Sequence, residues 1–151
     1  MRRSNTLKNI LTTTALAATL IFVNSGSAKA DENNAWSGMT IVNGQANIDY
    51  SVQQITTITQ SSLLAFGEAS NLDILENQTV NILQGSKNSL FVARATGAKT
   101  DPTRILGKLS ARTYTKDPAN AGGAITPNQK ADGNVMVIDR NGVFFGKNSI
   151  I

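Results

Sequence analysis

Residues 133–151 read GNVMVIDRNGVFFGKNSII and contain two apolar runs, Val135–Ile138 and Val143–Phe145. Between the runs lies Asp139-Arg140-Asn141-Gly142. An Asn-Gly pair between β-rich runs is a strong turn signal, because both residues tolerate positive φ. The plain interpretation is strand, tight turn, strand. The runs do not alternate between apolar and polar residues as a half-exposed hairpin would, so we expect strands that are buried in a stack.

The rest of the chain shows short β-rich segments bounded by Gly, Asn, Asp or Pro, which is typical of an all-β protein. Leu63–Ala69 is the one expected helical turn, and Asp31–Ser37 is expected to fray, with Trp36 as the first anchor to the body. Arg112–Asp132 contains two of the three prolines and a Gly pair, so we expect a loop or small hairpin insertion there. The expected strands before residue 112 are Met39–Val42, Ala46–Tyr50, Gln53–Gln60, Leu72–Ile74, Thr79–Leu83, Ser89–Ala95 and Ile105–Leu109.

Composition alone does not decide between two all-β architectures, a solenoid and a sandwich. Near-continuous apolar strands with frequent asparagine and threonine slightly favour a solenoid of stacked parallel rungs over a sandwich. In such a stack we expect inward positions to form a dry column and turn asparagines to hydrogen-bond between coils. At about 20–25 residues per rung, the chain after its first thirty residues makes about five coils. No clean internal repeat is visible.

The first thirty residues have the pattern of a secretory signal peptide. Arg2, Arg3 and Lys8 precede the apolar segment Ile10–Val23, which is too short to span a bilayer at about 20 residues. The missing apolar residue after the arginine pair favours the general secretory route over twin-arginine export. Small residues then mark a signal-peptidase site, and we expect cleavage after Ala30, with Ala28 and Ala30 at the recognised positions.

Removal of this segment neutralises the chain. Residues 1–30 contain four of the 14 basic residues and none of the ten acidic ones, so residues 31–151 carry ten of each. Nucleic acid is therefore not expected as a partner. Between Asp31 and Gly85 there are six acids and no base, and from Ser86 onward there are ten bases and four acids. Such blocks indicate either differently solvated faces or a basic end that meets an acidic partner or a lipid surface.

No catalytic constellation emerges from the sequence. Histidine and cysteine are absent, which excludes serine–histidine, cysteine and ordinary zinc sites. The segment 142–148 is one residue short of a phosphate-binding loop and has Asn where Ser or Thr must hold magnesium, so a corner is the better interpretation. We expect neither an enzyme nor a cofactor. A carboxylate pair for glycoside hydrolysis remains open among Asp73, Asp101, Asp132 and Asp139.

Four motifs in order resemble the secretion domain at the head of filamentous-haemagglutinin-type exoproteins, which leave Gram-negative bacteria by two-partner secretion. Asn134–Phe145 resembles the family segment Asn-Val-x-x-Ile-Asn-Pro-Asn-Gly-Val-x-Phe, with Asp139-Arg140 in place of Asn-Pro. Further departures are Ala69 and Leu72, where the family usually has Trp and Phe, and Ala93 in place of Asn. The other three matching segments are Gly44–Ser62, Asn77–Gln84 and Arg94–Leu109.

The resemblance implies a fold. It is a right-handed parallel β-helix with an N-terminal cap. The family domain continues for several rungs beyond the position of Ile151, so residues 31–151 correspond to a partial secretion domain, truncated at the C-terminus. The insertion at Arg112–Asp132 lies at a position where members of the family usually have no inserted segment.

The resemblance also implies partners. The domain is expected to bind the POTRA modules of a dedicated outer-membrane transporter and to lead the export and folding of a surface adhesin, as a monomer during export. A host surface ligand is a second expected partner. A stand-alone or degraded adhesin fragment without transporter recognition is the alternative. For Arg94, two interpretations have equal weight: a charge that contacts a partner, or a structural salt bridge to Asp139 or Asp101. The expected recognition residues are Asp139, Arg140, Asn141, Gly142, Arg94 and Asn77.

Overall fold

The computed structural model describes residues 33–116 and 124–151. The expected export signal, with Ala28 and Ala30, lies outside the described residues. Strands, turns and bends account for these two ranges, so the all-β prediction is confirmed. No helix in them is long and apolar enough to cross a membrane. The strands are β1 (Thr40–Asn43), β2 (Ala46–Val52), β3 (Ile55–Gln60), β4 (Leu64–Ala69), β5 (Thr79–Gln84), β6 (Leu90–Ala95), β7 (Thr103–Ile105), β8 (Lys108–Lys116), β9 (Ile125–Pro127), β10 (Asn134–Ile138) and β11 (Val143–Phe145).

The described strands form two mixed sheets and one two-stranded pair. One sheet has the order β1-β4-β6-β10, the other β2-β3-β5-β8-β9, and β7 pairs with β11. From β3 to β6 the chain visits the two large sheets in turn, so neighbouring strands within each sheet run parallel. Antiparallel strands lie at the edges, because β1 pairs with β4, β2 with β3 and β9 with β8.

Parallel pairing keeps the strands in register although the connecting chain varies in length. Paired residues are 24 positions apart between β3 and β5, 26 between β4 and β6, 29 between β5 and β8, and 44 between β6 and β10. This unequal spacing is the reason that no clean repeat is visible in the sequence. The pairs that give these spacings are Ile55–Thr79, Leu64–Leu90, Thr79–Lys108 and Leu90–Asn134.

The core lies between the two large sheets. Its inward positions are aligned from strand to strand, as Ile58 pairs with Ile82 and Ile82 with Ala111. Each aligned apolar side chain is buried, and burial contributes about 25 cal/mol per Å² of apolar surface removed from water. The largest fully buried apolar side chains are Trp36, Phe91, Ile58, Leu72, Ile74, Ile82, Ile105 and Val80.

A buried amide ladder joins the two sheets. Gln60 and Gln84 are both fully buried. Gln84 Nε2 donates to Gln60 Oε1 at 2.9 Å and to Asn134 O at 3.0 Å, and Gln84 Oε1 accepts from Asn134 N at 2.8 Å. Gln60 Nε2 donates to Ser62 O at 2.8 Å. Glutamines at strand ends therefore make hydrogen bonds between neighbouring strands of the kind that we expected from turn asparagines.

Residues 34–36 close the first end of the core. Asn34 Nδ2 donates to Val52 O and Ile55 O at 3.0 and 2.9 Å, and Asn34 Oδ1 accepts from Gln54 N at 2.8 Å. Trp36 is 1% exposed, and its Nε1 donates to Leu72 O at 2.8 Å. The anchor role of Trp36 is confirmed. Fraying is wrong for residues 34–36, because their polar atoms complete the ends of β2 and β3.

Leu64–Ala69 is a strand, so the helical turn expected over Leu63–Ala69 is absent. As β4 it pairs in parallel with β6 over six residues, and small side chains at Ala65 and Ala69 point into the core. A Cβ on Gly67 would lie 2.7 Å from Met39 Sδ and 3.1 Å from the Phe91 ring. The helical prediction was wrong because tertiary pairing with β6 overrides the local preference of Leu and Ala.

The expected strand Ile105–Leu109 is divided. β7 ends at Ile105, Leu106-Gly107 forms a corner, and β8 begins at Lys108. A Cβ on Gly107 would lie 2.1 Å from Leu75 O and 2.3 Å from Gln78 O, so the corner requires glycine. β8 then continues to Lys116, inside the expected insertion 112–132, and β9 pairs with it in antiparallel fashion.

The strands β10 and β11 that flank Asp139–Gly142 do not form a hairpin. β10 pairs with β6 and β11 with β7, both in parallel. Burial alternates along β10, with Val135 and Val137 partly buried and Met136 and Ile138 exposed. Continuous burial was therefore a wrong expectation. Only alternate side chains of β10 point toward the core, and β10 is an edge strand among the described residues.

Candidate functional site

Residues 139–142 form a tight turn at the surface. Gly142 N donates to Asp139 O at 3.0 Å, and Asp139 Oδ1 accepts from Asn141 N at 2.8 Å. The predicted turn is present, and Gly142 has a φ of 92°. Asn141 is not among the described non-glycine residues with positive φ, so of the pair only Gly142 adopts this conformation. The chain needs a change of direction here rather than the close reversal of a hairpin.

This turn is held by the preceding corner of the chain, residues 97–103. Asn141 Nδ2 donates to Lys99 O at 2.6 Å. Thr103 Oγ1 donates to Asp139 Oδ2 at 2.7 Å, and Thr103 N donates to Gly142 O at 3.1 Å. Three groups of the turn are thus fixed by partners in this corner.

The same hydrogen bonding continues to a third corner. Lys99 Nζ lies 2.6 Å from Asp73 Oδ2, and Asp73 Oδ1 accepts from Arg104 N at 2.7 Å. Asn71 Oδ1 accepts from Asp73 N at 3.0 Å. We refer to these stacked side chains as the corner column, which consists of Asn71, Asp73, Lys99, Thr103, Asp139 and Asn141.

Hydrogen bonds stabilise the ionised form of Asp139. Donation from Asn141 N is the largest cause that lowers the pKa of this carboxyl group below its ordinary value of 3.8, and donation from Thr103 and the charge of Lys99 act in the same direction. Asp139 is therefore a fixed anion in the corner column at neutral pH. Arg140 and Asn141 are exposed beside it, so the turn presents a cation and an amide on a rigid base.

Arg94 is near the turn but binds neither of the predicted partners. It pairs in register with Ile138, the residue before the turn. Its guanidinium forms an ion pair with Glu68 on β4 and lies 5.2 Å from the centroid of the Phe66 ring. The predicted salt bridges to Asp139 or Asp101 are therefore wrong. Parallel pairing places Glu68 directly beside Arg94, and half of the Arg94 side chain is exposed.

Asn77 lies apart from the turn. It is exposed in the tight turn between Leu75 and Gln78, and among the described residues no hydrogen bond joins it to the corner column. The structure thus brings five of the six predicted recognition residues to one region and leaves Asn77 elsewhere. Sequence reasoning missed Asp73, Lys99 and Thr103. Thr103 lies within the matching segment Arg94–Leu109, which could have indicated it, but the partners of Lys99 and Asp73 depend on strand register.

Comparison with known proteins gives a likeness in fold. No protein-family model and no curated protein matches the chain. Among solved structures, the chain is similar to the HMW1 secretion domain from Haemophilus influenzae, with a TM-score of 0.55 and 24% sequence identity. The match covers 74% of this chain and 24% of that chain, so the chain spans about a quarter of the length of its structural neighbour. The likeness agrees with the resemblance found in the sequence motifs, at the level of the fold.

Proposed function

We propose that residues 31–151 are the secretion module of a two-partner-secretion exoprotein of a Gram-negative bacterium. In this proposal the parallel strands are rungs of a right-handed parallel β-helix, and an outer-membrane transporter recognises the module and exports it to the cell surface or medium. The observation that carries the proposal is the rigid turn Asp139–Gly142, in a chain whose fold is similar to a known secretion domain.

Rigidity of the turn supports a role in recognition. A surface that is already fixed loses little conformational entropy when a partner binds. Asp139 and Asn141 are held by Thr103 and by Lys99 O. Arg140 is exposed, and its guanidinium donates to Lys99 O at 3.4 Å. We propose that Arg140 and Arg94 make the electrostatic contacts with the POTRA domains. Asp139, Asn141 and Gly142 would determine the shape of the surface that is recognised. Asn77, at a separate position, would mark a second contact.

Strand addition is the proposed mode of binding. In this mode an exposed edge strand offers unpaired N–H and C=O groups to an extended partner. The module carries out no catalysis in this proposal and uses no cofactor. Folding of the exported chain outside the cell supplies the free energy that makes export directional.

The test combines binding and secretion. We would measure binding of residues 31–151 to the purified POTRA domains of the transporter from the same genome by calorimetry, and export in cells with and without that transporter. Asn141→Ala should weaken binding by about tenfold, as expected for truncation of an important interface residue, without changing the circular dichroism spectrum. Asn88→Ala, in another exposed turn, is the matched control and should bind as the unchanged protein does.

Two results would overturn the proposal. Export that is equally efficient without the transporter would favour the stand-alone adhesin. Equal binding by the unchanged protein and by Asn141→Ala, Arg140→Ala and Arg94→Ala would remove the turn as the recognised surface. A host ligand for the exported product is a separate proposal, and it is tested by binding of the secreted protein to host cells.

A further inference from the structure

The two Asn-Gly pairs of the described chain lie in opposite environments. Asn141-Gly142 is held in the corner column, and Asn43-Gly44 connects β1 to β2 at the first end of the core. We propose that Asn43 is a site of spontaneous covalent modification, at which the backbone nitrogen of Gly44 displaces the side-chain amide. Asn141 carries the same sequence signal but is protected.

Hydrogen bonds at both reacting groups protect Asn141. Its side-chain Nδ2 donates to Lys99 O at 2.6 Å, and its backbone N donates to Asp139 Oδ1 at 2.8 Å. The nitrogen that would attack, Gly142 N, donates to Asp139 O at 3.0 Å. Attack requires the side-chain carbonyl carbon to rotate toward Gly142 N, and this rotation breaks the bond to Lys99 O.

Asn43 lacks these restraints. It is the exposed last residue of an edge strand, and the pairing of β1 with β4 is irregular between Ile41 and Asn43. Within residues 33–116 and 124–151, no hydrogen bond holds the Asn43 side chain or Gly44 N. Both groups are therefore free to approach each other in water.

Packing requires glycine at position 44. Its φ is 77°, a conformation that glycine adopts without steric cost. A Cβ there would lie 2.1 Å from Leu64 O and 2.8 Å from Ala65 Cα. The fold thus requires at position 44 the residue whose own backbone nitrogen is most accessible to the Asn43 side chain, because glycine has no side chain to obstruct the attack.

The reaction balances without a co-reactant other than water. Gly44 N forms a bond to Asn43 Cγ, the Cγ–Nδ2 bond breaks, and Nδ2 leaves as ammonia with the proton from Gly44 N. Water then adds to either carbonyl of the resulting five-membered imide and opens it to aspartate or isoaspartate. Isoaspartate adds one carbon to the backbone between β1 and β2, where Gly44 is packed against β4, and so we expect β1 to separate from β4.

The experiment follows both positions in the same sample. Folded residues 31–151 are incubated at mildly alkaline pH, and each Asn-Gly peptide is quantified by mass spectrometry and by labelling with isoaspartyl methyltransferase. In the folded protein, position 43 should react at least about tenfold faster than position 141, since reaction at 141 first breaks hydrogen bonds. In concentrated urea the two positions should react at similar rates. Equal rates in the folded protein, or reaction of position 43 only in urea, would overturn the proposal.

Two variants separate local chemistry from global unfolding. Asn43→Gln keeps an amide but lengthens the side chain, so it should abolish the isoaspartate signal at this position. Asp139→Ala removes the carboxylate that holds Asn141 N and should raise the rate at position 141 while position 43 is unaffected. An unchanged rate at position 141 would refute its protection by the corner column, and a signal that persists in Asn43→Gln would refute the assignment to Asn43.

Discussion

Gln84, at the end of β5, hydrogen-bonds through its side chain to residues of two other strands. Its fully buried amide donates to Gln60 Oε1 and Asn134 O and accepts from Asn134 N. A buried amide with partners for each of these atoms fixes the relative position of the strands, because an alternative register would leave polar groups without partners.

Truncation of Gln84 should therefore be costly. Gln84→Ala leaves Gln60 Oε1 and the Asn134 backbone without these partners, and each unsatisfied buried group costs about 1–3 kcal/mol. We expect the free energy of unfolding to fall by about 2–4 kcal/mol, measured by urea denaturation. Gln53→Ala, at an exposed position, is the matched control and should change it by less than about 0.5 kcal/mol. Equal effects of the two substitutions would contradict the structural role of the ladder.

The ion pair of Arg94 with Glu68 should contribute little to stability. Half of the Arg94 side chain is exposed, and exposed ion pairs are worth about 0–1 kcal/mol. A double-mutant cycle with Arg94→Ala and Glu68→Ala should give a coupling energy below about 1 kcal/mol. A coupling above about 2 kcal/mol would show that Arg94 is held for stability and is less available for a partner.

At the scale of elements, corners as well as strands carry specific side-chain interactions. The corner column joins three connections that are distant in the sequence, whereas the strands share an alternation of inward and outward side chains. The predicted turn at Asp139–Gly142 could be found from local residue types. The contacts of Lys99 with Asp73 could not, because they depend on which strands are neighbours.

Acid should weaken the corner column. The pKa of Asp139 is lowered from its ordinary value of 3.8 by hydrogen bonds from Asn141 N and Thr103. A depressed pKa in the folded state means that the ionised carboxylate stabilises the fold above pH 3.8, and that this contribution is lost as the pH falls through the folded-state pKa. Asp139→Asn should lower the free energy of unfolding at neutral pH, since hydrogen bonds to a charged acceptor are the stronger ones. In denaturation at a series of pH values, this difference should shrink toward zero in acid; a difference that is independent of pH would contradict it.

Strands were predicted well where β-branched residues dominate and poorly where small residues do. Ile55–Gln60 and Thr79–Gln84 lie within one to two residues of the expected bounds. Leu64–Ala69 was expected to be helical, because leucine and alanine favour helices in isolation. Its strand conformation is imposed by β6, which lies beyond it in the sequence. The separation of β10 from β11 also depends on long-range pairing, which a local Asn-Gly signal does not contain.

At the scale of the molecule, the order of the strands separates the charges. Among the described residues, the acids before residue 86 lie in and around β2–β5, and the bases lie after β5. Since successive strands are added along each sheet, the acidic block belongs to the first end of the core and the basic block to the later strands. The two blocks meet where β4 lies beside β6, because Arg94 on β6 forms an ion pair with Glu68 on β4.

The described core should unfold as one unit. Trp36, the only tryptophan, closes the first end, and it belongs to the same buried cluster as Ala111 on β8. We expect unfolding curves in urea from tryptophan fluorescence and from far-UV circular dichroism to coincide, as they do for a single cooperative domain. Fluorescence that changes at lower urea concentration would show that residues 34–36 detach independently, as terminal units of repeat arrays can.

Unequal spacing between paired strands has a consequence for engineering. Neighbouring strands remain aligned whether 24 or 44 positions separate the paired residues, so additional chain is accommodated where the backbone changes direction and leaves inward side chains in place. Peptides grafted near the exposed Gln129-Lys130 should therefore be displayed without a shift of the strands, whereas one residue inserted into β5 would exchange its buried and exposed faces. Insertions are therefore tolerated in the bends, whereas an insertion within a strand is not tolerated, because it changes which side chains face the core.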